Sequence, residues 1–306
     1  MSFKEQWSAY LQNLQDRICA AVEAADGKAR FAADEWNREG GGGGRTKTIS
    51  EGDVIEKGGV NTSVVWGEVT DIMRTQLKVE GQRWFAAGLS LVLHPKNPYV
   101  PTTHANWRYF ELYDDAGTVT DRWFGGGSDL TPYYLFIEDA RHFHQTFRDA
   151  MDGFGTDLYP KYKQWCDEYF VNKHRGSEMR GIGGVFYDHL RPASDADADR
   201  LFAFQRAGGD SFLAAYLPIV ERRRDLPYGD REIEWQEIRR GRYVEFNLIH
   251  DRGTLFGLKT TGRTESILMS LPPRARWEYN YQPEAGSPEA ELLDACLHPR
   301  DWAGGK

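Results

Sequence analysis

The feature that most limits how this chain can fold is the order of its two kinds of periodicity. Segments 60–69, 84–93, 105–113 and 119–124 are dense in β-branched and aromatic residues and read as strands. Segments 138–151, 157–172, 193–207, 211–224 and 230–239 carry apolar stripes between charged faces and read as helices, with Pro218 expected to kink or interrupt the fourth. Strands grouped together, followed by grouped helices, exclude the alternation that a doubly wound parallel sheet requires. The expected fold is α+β: one domain over residues 1–306, with a large, mostly antiparallel sheet flanked on both sides by helices.

The remaining segments fit that frame. Leu11, Leu14, Ile18, Ala21 and Val22 recur at helical steps, so 3–26 reads as an amphipathic helix. The run from Gly40 to Gly44 reads as a loop, and Asp114-Asp115-Ala116-Gly117 as the turn of a hairpin. A second hairpin is expected from 243–250 and 254–259, then a short helix over 264–271 ended by Pro272-Pro273. The polar tail from residue 282 is expected to cap the body.

Composition removes several classes of function. A chain of 306 residues can bury about 75% of its unfolded surface, so it needs no staples to make a core. Its 38 Lys and Arg against 46 Asp and Glu give a net charge of −8, without the broad positive field that nucleic acid or anionic membranes call for. Cys19, Cys166 and Cys296 have no short spacing and suggest neither a disulfide framework nor a thiol redox pair. No segment approaches the roughly 20 apolar residues of a membrane span. The N-terminus mixes both charge signs and lacks the pattern of a signal or transit peptide, which leads to an expectation of cytosolic residence.

Three groups of residues carry chemistry. The glycine clusters lack a phosphate-loop or dinucleotide fingerprint; Gly125-Gly126-Gly127 before Ser128-Asp129 instead lets backbone approach a ligand and present a carboxylate. Among the histidines, His94 and His104 bracket HPKNPYVPTTH. Two readings stand open: His94, His104, His144 and His174 as four ligands of one metal, or His104 as a proton donor or acceptor near neutral pH. Arg108 lies two residues beyond Asn106 and shares its sheet face, while Arg180 and Arg263 stand at element ends suited to bidentate carboxylate binding. Together they describe a site for an organic polyanion with a carboxylate and a histidine nearby, and they leave the reaction open.

These residues sit in segments that strongly resemble the oxygen-dependent coproporphyrinogen III oxidases: GGGGRT, LHPKNPYVPTTHANWRYFEL, WFGGGSDLTPYY, KYKQWCDEYF, RGIGGVFYD, AYLPIVERR and GRYVEFNLIHDRGTLFGLKTTGRTESILMSLPP. The resemblance runs from about residue 11 to 302. It implies that coproporphyrinogen III is the substrate. The propionates on rings A and B would be oxidatively decarboxylated to vinyl groups, giving protoporphyrinogen IX, with molecular oxygen as co-substrate and no organic cofactor. It also implies a homodimer, with residues 242–277 at the interface. Carried onto this sequence, His104 matches the proton donor, Asp129 an aspartate that engages the pyrrole N–H groups, and Arg180 a propionate-binding arginine. Ser90, Asn106, Trp107, Arg108, Thr261, Gly262 and Arg263 match substrate contacts, although Thr261 is often glycine in the family. We also expect Arg108 to take part in catalysis by holding the reacting propionate. The four histidines match positions given as ligands of a divalent metal in bacterial members, while other members need none. The alternatives are a metal-dependent oxygenase and a tetrapyrrole carrier. The oxygen-independent route needs C-x-x-x-C-x-x-C, which three scattered cysteines do not supply.

Overall fold

The computed structural model describes residues 2–77, 79–259 and 262–304. The chain begins with α1 (Phe3–Asp26), whose start is fixed by reciprocal hydrogen bonds between Ser2 and Glu5. Strands β1 (Ala32–Asn37), β2 (Gly42–Ser50) and β3 (Ile55–Glu68) follow, then α2 (Asp71–Leu77) and β4 (Arg83–Pro95), β5 (Thr102–Tyr113) and β6 (Val119–Thr131). Next come α3 (Ile137–Asp152), α4 (Leu158–Tyr169), the short β7 (Val171–Asn172) and β8 (Glu178–Met179), and β9 (Gly184–Leu190). The C-terminal third holds α5 (Asp195–Arg223), α6 (Asp230–Glu245), a π-helical turn (Phe246–His250), α7 (Arg252–Lys259), α8 (Thr264–Leu268) and α9 (Pro288–Leu297).

Seven strands form one antiparallel sheet in the order β1-β2-β3-β4-β5-β6-β9, so the expected α+β architecture with helices on both faces is what the chain adopts. On one face Leu89, Leu91, Ala105, Trp107, Tyr109 and Phe124 are buried in a single core with Trp7, Leu11 and Leu14 of α1 and Phe212 and Tyr216 of α5. Burying each of the leucines and phenylalanines among them contributes roughly 1.5–3 kcal/mol. Trp7 also donates to the Ala87 carbonyl at 3.1 Å, and Tyr216 to the Pro101 carbonyl at 2.9 Å, so the largest side chains stay hydrogen-bonded inside the core. On the other face, Phe170, Phe186 and Phe246 form a second cluster beside Cys166.

Several expectations change. Residues 195–223 form one helix through Pro218 where two were expected. Gly208 and Gly209, which look like a break, are instead where the helix meets neighbours closely: a Cβ on Gly208 would lie 3.2 Å from the Trp107 indole nitrogen. The expected hairpin over 243–259 is helical, because Tyr243 and Phe246, at helical spacing, both pack on the Arg180 guanidinium. Gly42 to Gly44 open a strand rather than lying in a loop, and the tail beyond 282 contains α9, which buries Leu292, Ala295 and Cys296.

Candidate active site

Strand alternation puts small and polar residues on the face opposite the main core. Ser63, Gly88, Arg108 and Gly125 lie opposite one another in one row across β3–β6, and Asn61, Ser90, Asn106 and Gly127 in the next. Gly88, Gly125 and Gly127 therefore keep side chains off part of this floor. Gly127 has φ 155°, and a Cβ there would collide with the Val185 carbonyl; one on Gly125 would lie 2.6 Å from Arg108 Nε. The triple glycine thus lies within β6 rather than in a loop at its end. The β3 side of this floor is roofed by α8, where Asn61 donates to the Ser266 carbonyl at 3.1 Å and Ser266 Oγ meets Thr46 Oγ1 at 2.9 Å. Ser90, Asn106 and Arg108 remain accessible, with Ser90 exposed and the other two half-buried.

The third row brings His104 opposite Asp129. His104 Nδ1 lies 2.7 Å from Asp129 Oδ1, and Arg180 Nη2 donates to both Asp129 oxygens at 3.0 and 2.9 Å. Burial alone would raise the Asp129 pKa, but the Arg180 charge and the hydrogen bonds from His104 and Arg180 outweigh it and hold the carboxyl below its usual range. An ionised carboxylate only accepts, so His104 must donate from Nδ1, which leaves Nε2 as the nitrogen that exchanges a proton. That atom lies 3.4 Å from Asn106 Nδ2. Asp129 is 2% exposed with both oxygens occupied, so His104 stands where a direct approach to Asp129 was expected.

Arg180 also departs from its expected place. It is 2% exposed, bonded by Nη1 to Asn247 Oδ1 at 2.8 Å, and enclosed by the rings of Phe170, Tyr243 and Phe246 at 4.2, 4.6 and 4.9 Å. Its charge is matched by Asp129, and both partners are closed off from the surface. Trp107 likewise points to the core, 1% exposed, because it falls between Asn106 and Arg108 in the alternation.

An accessible cation on this face is Arg108, which pairs with Asp188 at 3.0 Å and donates to Asn106 Oδ1 at 3.2 Å. Arg252 approaches the same Asp188 at 3.9 Å from the start of α7, at the place where the sequence suggests the turn of a hairpin. Burial would raise the Asp188 pKa, but Arg108 brings it below the usual carboxylate range. Arg263 is ion-paired with Asp34 of the edge strand, and Gly262 donates to the Gly257 carbonyl at 2.8 Å. Thr261 lies outside the described residues.

The four histidines expected as metal ligands have different surroundings. His94 is buried, contacts Thr102 Oγ1 at 3.1 Å and donates from Nε2 to the Ser270 carbonyl at 2.8 Å; burial and the Arg240 charge hold its pKa well below the usual value. His144 is buried beside Tyr159 at 2.9 Å, and burial lowers its pKa to about 3. His174 lies near the surface between His250 and Glu245, 2.8 Å from each. Only His94 and His104 share a sheet face. Among the described residues no three His, Cys, Asp or Glu side chains come together as a metal set, so these side chains do not fit the expected ion in this fold.

A polar floor with three glycines, a carboxylate-backed imidazole and an accessible arginine lie side by side, an arrangement of the kind enzymes use. The sequence profile described as coproporphyrinogen III oxidase matches residues 6–302, and the chain belongs to that family, which works in haem biosynthesis.

Proposed function

We propose that this protein catalyses the oxygen-dependent oxidative decarboxylation of coproporphyrinogen III to protoporphyrinogen IX. The observation that carries this reading is the floor of small and polar residues, Gly88, Ser90, Asn106, Gly125 and Gly127, beside the His104–Asp129–Arg180 chain. A four-ring macrocycle can lie on such a surface where side chains would lift it away. In this reading Arg108 exchanges its Asp188 partner for a propionate, with Arg252 close by, and Ser90 and Asn106 contact the rings.

At each reacting propionate, the carbon beside the ring loses a proton and the electron-rich pyrrole passes an electron pair to oxygen. The carboxylate then leaves as carbon dioxide, and its bonding pair closes the vinyl double bond. Oxygen takes up the electron pair and two protons to become hydrogen peroxide. His104 Nε2 accepts the proton from the carbon and delivers it to the reduced oxygen; the second comes from solvent. Asp129 holds the imidazole with Nδ1 protonated and stabilises its charged form, while Arg180 keeps Asp129 ionised. The oxidising equivalents come from oxygen, so the reaction asks for no organic cofactor.

We further propose a homodimer with a contact built on residues 242–277. Ile249 is 53% and Trp277 54% exposed there, beside exposed Leu248, and apolar groups gathered on a surface mark contact sites. Cytosolic residence belongs to the same proposal; the free, buried state of all three cysteines suits a reducing compartment, and no helix among the described residues is long and apolar enough to cross a membrane.

The test is turnover of coproporphyrinogen III by purified protein, following oxygen uptake, carbon dioxide, peroxide and vinyl product, with and without a chelator. One carbon dioxide released per oxygen consumed supports the reading. An undiminished rate without oxygen overturns it, and tight binding without carbon dioxide release identifies a carrier. Loss of activity with the chelator, restored by iron or copper, would establish the metal-dependent oxygenase instead.

A further inference from the structure

We infer that Asn247 is a positioning residue for this reaction, acting through Arg180 on the Asp129–His104 pair; the inference rests on the functional reading above. Arg180 is buried and its Nε has no hydrogen-bond partner, so two contacts fix its direction: Nη2 on Asp129 and Nη1 on Asn247 Oδ1 at 2.8 Å. Phe170, Tyr243 and Phe246 hold the guanidinium against their rings at 4.2–4.9 Å. Ring contacts of that kind fix its plane weakly and its rotation within the plane hardly at all. Asn247 supplies the anchor against that rotation, on Nη1, the nitrogen that Asp129 does not engage.

The backbone is shaped for this contact. Asp251 N–H reaches back five residues to the Phe246 carbonyl at 2.9 Å, so the helix widens at the position where Asn247 meets Arg180. Tyr169 OH donates to Asp251 Oδ1 at 3.0 Å and ties down the end of the widened turn. Asn247 is itself buried and carries its carbonyl oxygen to Arg180 without reaching the floor. Without that oxygen, Arg180 rotates, Asp129 loses a donor, and His104 loses the fixed partner that sets which nitrogen faces the cleft. Substrate binding through Arg108, Ser90 and Asn106 is untouched.

The experiment is steady-state kinetics on Asn247→Leu, which keeps the branched shape and removes the acceptor. The expected result is kcat lower by about 10- to 100-fold with KM within about 2-fold of the parent. Asn247→Asp keeps an acceptor oxygen and is expected to retain at least about a third of kcat. In an Arg180→Met background, Asn247→Leu should cause no further loss, because its route of action is gone. Should Asn247→Leu fail to fold, Asn247→Ser, which shortens the reach to Arg180, gives the same comparison. Parent-like kcat in a folded Asn247→Leu protein overturns the inference, as does an additive loss in the double variant. Absence of turnover in the parent protein would instead overturn the functional reading.

Discussion

Asn106 and Arg108 face the cleft, while Trp107 between them is sealed in the core. The same strand therefore serves two purposes with a spacing of one residue. The core face is large and apolar, and its neighbours are α1 and α5. The cleft face is small and polar, and it meets the π-helical turn, α7 and α8. A substitution on one face should alter stability and one on the other should alter chemistry, even at adjacent positions.

The largest effect expected from that division is on turnover. Asp129→Asn replaces one of the two accepting oxygens by an NH2 donor and removes the charge, so the His104 tautomer is no longer enforced, and kcat should fall by about 10³- to 10⁴-fold. Retained kcat at saturating substrate would remove Asp129 and His104 from the mechanism. Next, Trp107→Ala should cost about 3–5 kcal/mol in urea unfolding, through the cavity it leaves beside Phe212. Arg108→Ala should leave stability within about 1 kcal/mol while raising KM about tenfold or more, since the Arg108 side chain is 40% exposed and Arg252 still faces Asp188 at 3.9 Å. If Arg108→Ala unfolds the protein, the separation of the two faces fails.

A smaller effect concerns acid. Glu245 ends α6 beside Arg175, His174, Arg242 and Trp277; although burial opposes it, these partners bring its pKa down to about 2 from the ordinary 4.5. A carboxylate with a depressed folded value stabilises the fold above its unfolded value and loses that contribution as pH falls toward the folded one. Unfolding free energy should therefore decline between about pH 4.5 and 2, and Glu245→Gln should flatten part of the decline. An unchanged pH profile in that variant would show that the cluster adds nothing to folding.

The sequence was most readable where one physical rule acted alone. In β4 and β5 the alternation of Leu89, Leu91, Ala105 and Trp107 with Ser90, Asn106 and Arg108 exposes both the strands and their two faces. Strand β2 carries no strand pattern in the sequence, because its glycines and polar residues resemble a loop; they form a strand because β1 and β3 pair with it on both sides. In the stretch FNLIH, β-branched and aromatic residues suggested a strand, and the tertiary demand of burying Arg180 made a helix. At the site, His104, Asn106 and Arg108 could be placed from spacing. The link from Arg180 to Asp129 crosses 51 residues and that to Asn247 crosses 67, and no local pattern carries such pairs. The histidines show the same limit: of eight, placement and resemblance single out four, and only packing separates His94 and His144, neutral in the interior, from the half-buried His104.

The π-helical turn faces two ways. Asn247 points inward to Arg180, and its immediate successors Leu248 and Ile249 are exposed. If those two residues form the contact between copies, the same turn that aligns Arg180 is braced from outside by the second subunit. Dilution would then weaken that brace, and each active site should slow as the protein is diluted toward single chains, before any unfolding can be detected.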